Sequence, residues 1–247
     1  MKVQRYVRSL HKWLGLVLVI QLFFWIAGGL IMSAIPLENV HGKHLAVKEL
    51  PNPFSFHDYS FDLQTVLNDL NAGSKASNRF TSTQRVEFTE YQGTPAYLIT
   101  SATGQELRSA IDGLAFPTLR AEQVRSLAKQ HYIYTGNPSK KIASTTLLEI
   151  APQEVATQSD RLWRVNFDDT WNTSLYFSDS SAQLVSIRSD IWRLFDFVWM
   201  LHIMDYDERE DFNNPLLIAF AACSVLFTIT GMLMLMRSLR YRPKQKI

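Results

Sequence analysis

The long charge-free apolar runs of this chain lie near its two ends. From Trp13 to Leu37 no Asp, Glu, Lys or Arg occurs, a run of 25 residues, and Pro215 to Met236 forms a second charge-free run of 22. About 20 mostly apolar residues let a helix cross the hydrocarbon core of a bilayer, so both runs read as transmembrane helices. The first is expected to begin near Val3 and to run to about Ala34, with Pro36 ending it. It exceeds a secretory h-region of roughly 7–15 residues and reads as an uncleaved anchor. Within it His11, Gly15, Leu18, Leu22, Trp25 and Gly29 recur at three and four residues and make one helical stripe. Gly15, Gly28 and Gly29 are small enough to admit another helix or a flat cofactor. Gln21 in mid-span prefers a bundle interior to lipid. At the second span, Asn213-Asn214-Pro215 offers a cap followed by a first-turn proline.

Between the spans the periodicity changes. Residues 36–60, with Pro36, Pro51, Pro53, His41 and His44, read as a wrapping arm without regular structure. An amphipathic helix over Asp62–Leu70 precedes strand-like 84–88, 95–99 and 107–111, with turns at Gln92-Gly93 and Asp112-Gly113. A second helix, Leu119–His131, precedes strands at 146–150, 162–167 and 174–177. The later strands alternate apolar and polar residues, as in a sheet with one covered face. The expected fold is therefore an α+β membrane protein. Two transmembrane helices flank a domain of two tandem units, each a helix plus antiparallel strands. The expected divisions are 1–36, 37–190, 191–212 and 213–247.

The stretch Trp192 to Tyr206 joins the polar middle to the second span. Trp192, Phe195, Trp199, His202 and Tyr206 share one face if it is helical. Trp and Tyr favour the membrane–water interface, so an anchor helix with an incidental histidine is one reading. A metal or haem ligand at the membrane surface is the other. The acidic run Asp205–Asp211 reads as a solvated link rather than a metal site. His57 and His131 read as ordinary surface or core histidines.

Charge orients the chain. Lys2, Arg5, Arg8 and Lys12 precede the first span, and Arg237, Arg240, Arg242, Lys244 and Lys246 follow the second. All 23 acids lie between, with the remaining 16 of 25 cations, a net of −7 for the middle. Basic flanks stay in the cytoplasm. The expectation is an inner-membrane protein with both termini cytoplasmic and residues of about 38–212 periplasmic. The net charge of +2 then gives no sign of nucleic-acid binding, because the cations sit where an anchor wants them. Cys223 is alone, which excludes an intrachain disulfide.

Three stretches resemble the PepSY-associated transmembrane family. Leu10-His11-Lys12-Trp13-Leu14-Gly15-Leu16 is similar to its opening motif of His, a basic residue, Trp, Leu and Gly. Leu175 to Val185 resembles the PepSY strand–turn motif, with Ser178 where Asp is usual and Ala182 where Gly is usual. Trp192 to Tyr206, with its Leu201-His202 pair, resembles the segment leading into a later membrane helix. The better-understood relatives have about four spans, and this chain has two. The resemblance implies a haem b-bearing inner-membrane reductase, acting on ferric iron or a ferric siderophore from the periplasmic side. By motif it implies His11 and His202 as metal ligands, with His41 and His44 on the correct side to assist His202.

His11 and His202 stand at opposite ends of the spans, too far apart to share one haem at about 1.5 Å rise per residue. A homodimer would supply four helices and the missing ligands, with Trp13, Trp25 and Trp199 packing on the porphyrin or serving as interface aromatics. No nicotinamide, flavin or phosphate-binding motif is visible, so electrons would come from a quinol or another membrane donor. Neither His-Glu-x-x-His nor Gly-x-Ser-x-Gly occurs, which speaks against a peptidase. The competing expectation is a non-enzymatic tethered module that binds a periplasmic partner or assists assembly of a membrane complex.

Overall fold

The computed structural model describes residues 2–77, 83–101, 104–157, 161–207 and 209–240. The chain divides into two compact units, Leu37–Trp192 and the pair of segments Met1–Pro36 with Arg193–Ile247.

The terminal segments make the helical unit. Helix α1 runs Lys2–Ala34, and α6 runs Pro215–Arg240. Both are long and apolar enough to cross a membrane. Only 11% of the most apolar window of each is buried, unlike the core helix of a soluble protein. Val17, Ile20 and Ile26 on α1 and Leu226 and Leu235 on α6 are all exposed. The seam between the two helices is narrow. Leu18, Phe220 and Met204 are buried in it, with Leu22, Leu217 and Phe227 alongside. Gly15 explains the close approach, since a Cβ there would stand 3.0 Å from the Phe227 ring. Asn214 caps α6 by accepting the Leu217 N–H at 2.9 Å. Its amide also donates to the Ile203 carbonyl at 3.0 Å.

Helix α5, Asp190–Ile203, stops before Tyr206. Met204 takes a left-handed φ of 56°, and such a residue just past a helix end terminates it. The expected five-residue aromatic face is thus shortened to Trp192, Phe195, Trp199 and His202.

The middle unit holds two antiparallel sheets and their helices. Helix α3, Leu63–Ser77, opens with Asp62 accepting the Thr65 N–H at 2.9 Å. Strands β1 (Thr83–Tyr91), β2 (Thr94–Ser101) and β3 (Gly104–Ser109) form a sheet in that order. Gln92 and Gly93 both have positive φ in the β1–β2 turn, as a two-residue hairpin loop prefers. Helix α4, Ala121–His131, precedes a second sheet in the order β4 (Ile142–Leu148), β5 (Leu162–Phe167), β6 (Ser174–Ser178), β7 (Leu184–Arg188).

Side-chain alternation divides the core. On β2, Ala96 and Leu98 enter a large shared cluster, while Tyr97 and Ile99 face Val66 and Leu70 of α3. On β6, Leu175 and Phe177 join the shared cluster, while Tyr176 packs with Leu162 and Val155. Both faces of β6 are therefore covered, and the expectation of one covered face fails there. The serines at its ends mislead the pattern, because Ser174 and Ser178 are buried too. The second unit also has four strands rather than three. Its β7 begins at the last two residues of the Leu175–Val185 strand–turn stretch and runs on to Arg188, and Ala182 in the turn before it takes a left-handed φ of 57°.

The arm after α1 is also more ordered than expected. Leu37–Val40 is a one-turn helix, α2, and Ala46 forms a β-bridge with Tyr132. Leu45 is wholly buried in the shared cluster. The prolines excluded a long element here but not a place in the core.

Candidate functional site

The histidines implied as ligands fall into both units. His11 is on α1, at the end where its apolar run begins. Its Nδ1 lies 3.0 Å from the Thr230 hydroxyl and 3.2 Å from the Phe227 carbonyl, both on α6. The ring lies flat on Phe227, with centroids 4.2 Å apart. Gly231 completes the seat, since a Cβ there would come within 3.1 Å of the imidazole. A proton on Nδ1 satisfies the carbonyl and leaves the Nε2 lone pair unused. That tautomer is the one a metal-ligating histidine adopts when its other nitrogen is held by a carbonyl.

His202 sits in the last turn of α5, in the same helical unit. Its ring stacks on Trp25 at 5.2 Å, over the Gly28–Gly29 pair of α1. The Trp25 indole donates to the His202 carbonyl at 2.9 Å, and Gln21 donates to the Leu201 carbonyl at 2.9 Å. Gln21 therefore uses its polarity on one carbonyl of the last turn of α5, where the helix leaves such groups unbonded. The His202 Nδ1 is buried and has no hydrogen-bond partner. It faces the α1 backbone, 3.9 Å from where a Gly28 Cβ would be.

These two imidazoles do not meet. His202 packs at the level of Trp25, fourteen residues beyond His11, which is about 21 Å along an α-helix. Two imidazoles that far apart cannot ligate the same metal ion. Of the tryptophans, Trp13 is exposed under the Lys12 ammonium, and Trp199 donates to the Arg209 carbonyl at 3.2 Å.

His41 and His44 belong to the middle unit. His41 is exposed. His44 meets Trp171 edge-on, and its Nδ1 is buried without a partner. Burial pushes the His44 pKa down. His131, in the core, gives Nδ1 to the Val47 carbonyl at 2.7 Å, and His57 is exposed. Among the described residues no three His, Cys, Asp or Glu side chains are grouped to hold a metal. The acidic loop is internally tied: Asp205 accepts the N–H groups of Asp207, Glu210 and Asp211, and Arg209 pairs with Asp196.

Sequence reasoning missed a cleft of about 490 Å³ in the middle unit. Tyr91, Phe116, Arg161 and Asp179 line it, together with the β3 stretch Gly104–Leu107. β3 is an edge strand, and at its C-terminal end Arg108 is bridged to Ala115, which also lines the cleft. In the sequence only the turn at Asp112-Gly113 lies near it.

The chain matches no family model, no curated protein and no solved structure.

Proposed function

We propose that this is a PepSY-type inner-membrane protein that binds haem b as a homodimer and passes single electrons to ferric iron or a ferric siderophore on the periplasmic side. The observation that carries the reading is the state of the two motif histidines. Both pack against neighbouring helices: His11 is held through Nδ1 by Phe227 and Thr230, and the buried His202 Nδ1 has no hydrogen-bond partner. His11 would offer Nε2, and His202 one nitrogen after a small shift off Gly28. Bound haem would supply a one-electron couple tuned by its axial ligands and its burial. The chain's own part is to fix the imidazole tautomer through Phe227 and Thr230 and to exclude water with Trp25 and Phe220. A quinol would give two electrons and two protons, reducing two ferric ions to ferrous.

The test is the absorption spectrum of the protein purified in mild detergent from haem-supplied cells. A Soret band and an α-band that sharpens on reduction are expected, and His202→Ala should remove or shift one signal. A colourless protein from such cells sinks the haem reading.

A second reading rests on the β3 cleft. A tethered, non-enzymatic module would bind an extended segment of a periplasmic partner along that edge strand, as sheets do by strand addition. Under it, His11→Ala and His202→Ala leave function intact while expression and insertion stay normal.

A further inference from the structure

At the His11 end of the helical pair, about one turn further out, lies a cleft that neither reading uses. It encloses about 600 Å³, with Gln4, Val7 and Arg8 from α1 facing Met234, Arg237 and Ser238 from α6. Arg8 lies one turn before Lys12, the last charge ahead of the charge-free run of α1, and Arg237 is the first charge after that of α6. Both stand where the hydrocarbon core would give way to headgroups. Among the described residues neither guanidinium has an ion-pair partner. Two like charges lining one cleft repel, unless an anion sits between them. A guanidinium is a planar fork matched to phosphate oxygens.

The rest of the lining narrows the ligand. Val7, Met234 and Leu233 give the cleft apolar walls, which free phosphate would leave uncovered. Gln4 and Ser238 add polar groups beside the arginines. Cations above apolar walls, between two membrane helices, suit a headgroup whose acyl chains continue into the bilayer. We propose that this cleft holds an anionic phospholipid, its phosphodiester between Arg8 and Arg237. The proposal rests on the membrane-spanning part of the reading above and needs nothing from the histidines.

The full chain, purified in mild detergent and stripped of lipid, is titrated with phosphatidylglycerol, with phosphatidylcholine and with inorganic phosphate. Native mass spectrometry and thermal unfolding read the binding. Phosphatidylglycerol should bind on the order of thirtyfold more tightly than phosphatidylcholine, about fivefold for each cation near a membrane surface. Arg8→Gln with Arg237→Gln should abolish that preference, and Arg5→Gln, outside the cleft, should keep it. Equal binding of the two lipids, equal protection by phosphate, or a preference that survives the double substitution overturns the site. If the double variant cannot be recovered, the lipid ratio and the phosphate competition on the unmodified chain decide alone. Alkaline carbonate checks the premise separately. Extraction of the protein from membranes defeats the membrane reading and the site together, whereas lipid indifference in a carbonate-resistant protein defeats the site only.

Discussion

The His11 imidazole lies parallel to the Phe227 ring within 8°, and its Nδ1 reaches the carbonyl of that same residue. One residue of α6 therefore holds the histidine both by its face and by its edge. The contact closes the α1–α6 seam at the end where the charges begin. Phe227→Leu should weaken the helical pair by about 1 kcal/mol through the lost ring contact. Thr230→Val should cost about 0.6 kcal/mol, a usual value for a hydrogen bond between membrane helices, because Nδ1 retains the carbonyl. Unfolding in mixed detergent measures both, and a Phe227–His11 double-mutant cycle with no coupling would refute the stacking account.

Trp25 and His202 make the corresponding contact for α5. The indole N–H serves the His202 carbonyl at 2.9 Å while the two rings stack. Trp25→Phe keeps an aromatic face and deletes the donor, so a loss of roughly 0.6–1.7 kcal/mol is expected. Gly28→Leu should be worse, because even a Cβ there comes within 3.1 Å of Val198. Limited proteolysis of the 205–211 loop would report α5 loosening in both variants, and unchanged cleavage in Gly28→Leu would count against this packing.

Gly42 tests whether the arm after α1 is structural. Its φ is +70°, and a Cβ would fall 2.4 Å from Ile187. Gly42→Ala should cost roughly 1–2 kcal/mol for the left-handed backbone and about 1–3 kcal/mol more for overpacking. Gly93 is the control, with φ +77° but open space around it. Gly93→Ala should show only the backbone part. Equal chemical-denaturation midpoints for the two variants would mean that the arm does not pack on β7.

Burial sets the pH response of the middle unit. His131 and His44 both titrate below the ordinary histidine value of 6.5, chiefly because burial disfavours the charged ring. For His131 the Val47 carbonyl opposes that shift without cancelling it. The unfolded chain takes up the proton first, so stability is complete above pH 6.5 and falls as the pH drops below it. Tyr132 and Tyr176 are shifted the other way, pushed up from 10.0 by burial and by bonds to Asp169 and Glu154. Their contribution is complete below pH 10 and is lost above it. Denaturation midpoints across pH 5–11 should trace a plateau with two falling limbs, and His131→Gln should flatten the acid one.

The sequence by itself determined the elements whose signal is local. Two charge-free runs and their caps fix α1 and α6, because length and apolarity decide whether a helix can cross a bilayer. Period-two alternation located most of the strands, and Gln92-Gly93 located a hairpin. The family resemblance singled out His11 and His202, but a motif carries no partners. Only the tertiary structure decided that Phe227, Thr230 and Gly231 enclose His11, since those residues lie more than two hundred positions away. Only it decided that β6 is covered on both faces, because a buried serine and an exposed one look alike in a pattern. The left-handed Met204 ends α5 short of Tyr206, and no residue type there announces it. Sequence periodicity reports what each segment prefers alone, whereas the seam, the clefts and the histidine seats exist only where two segments meet.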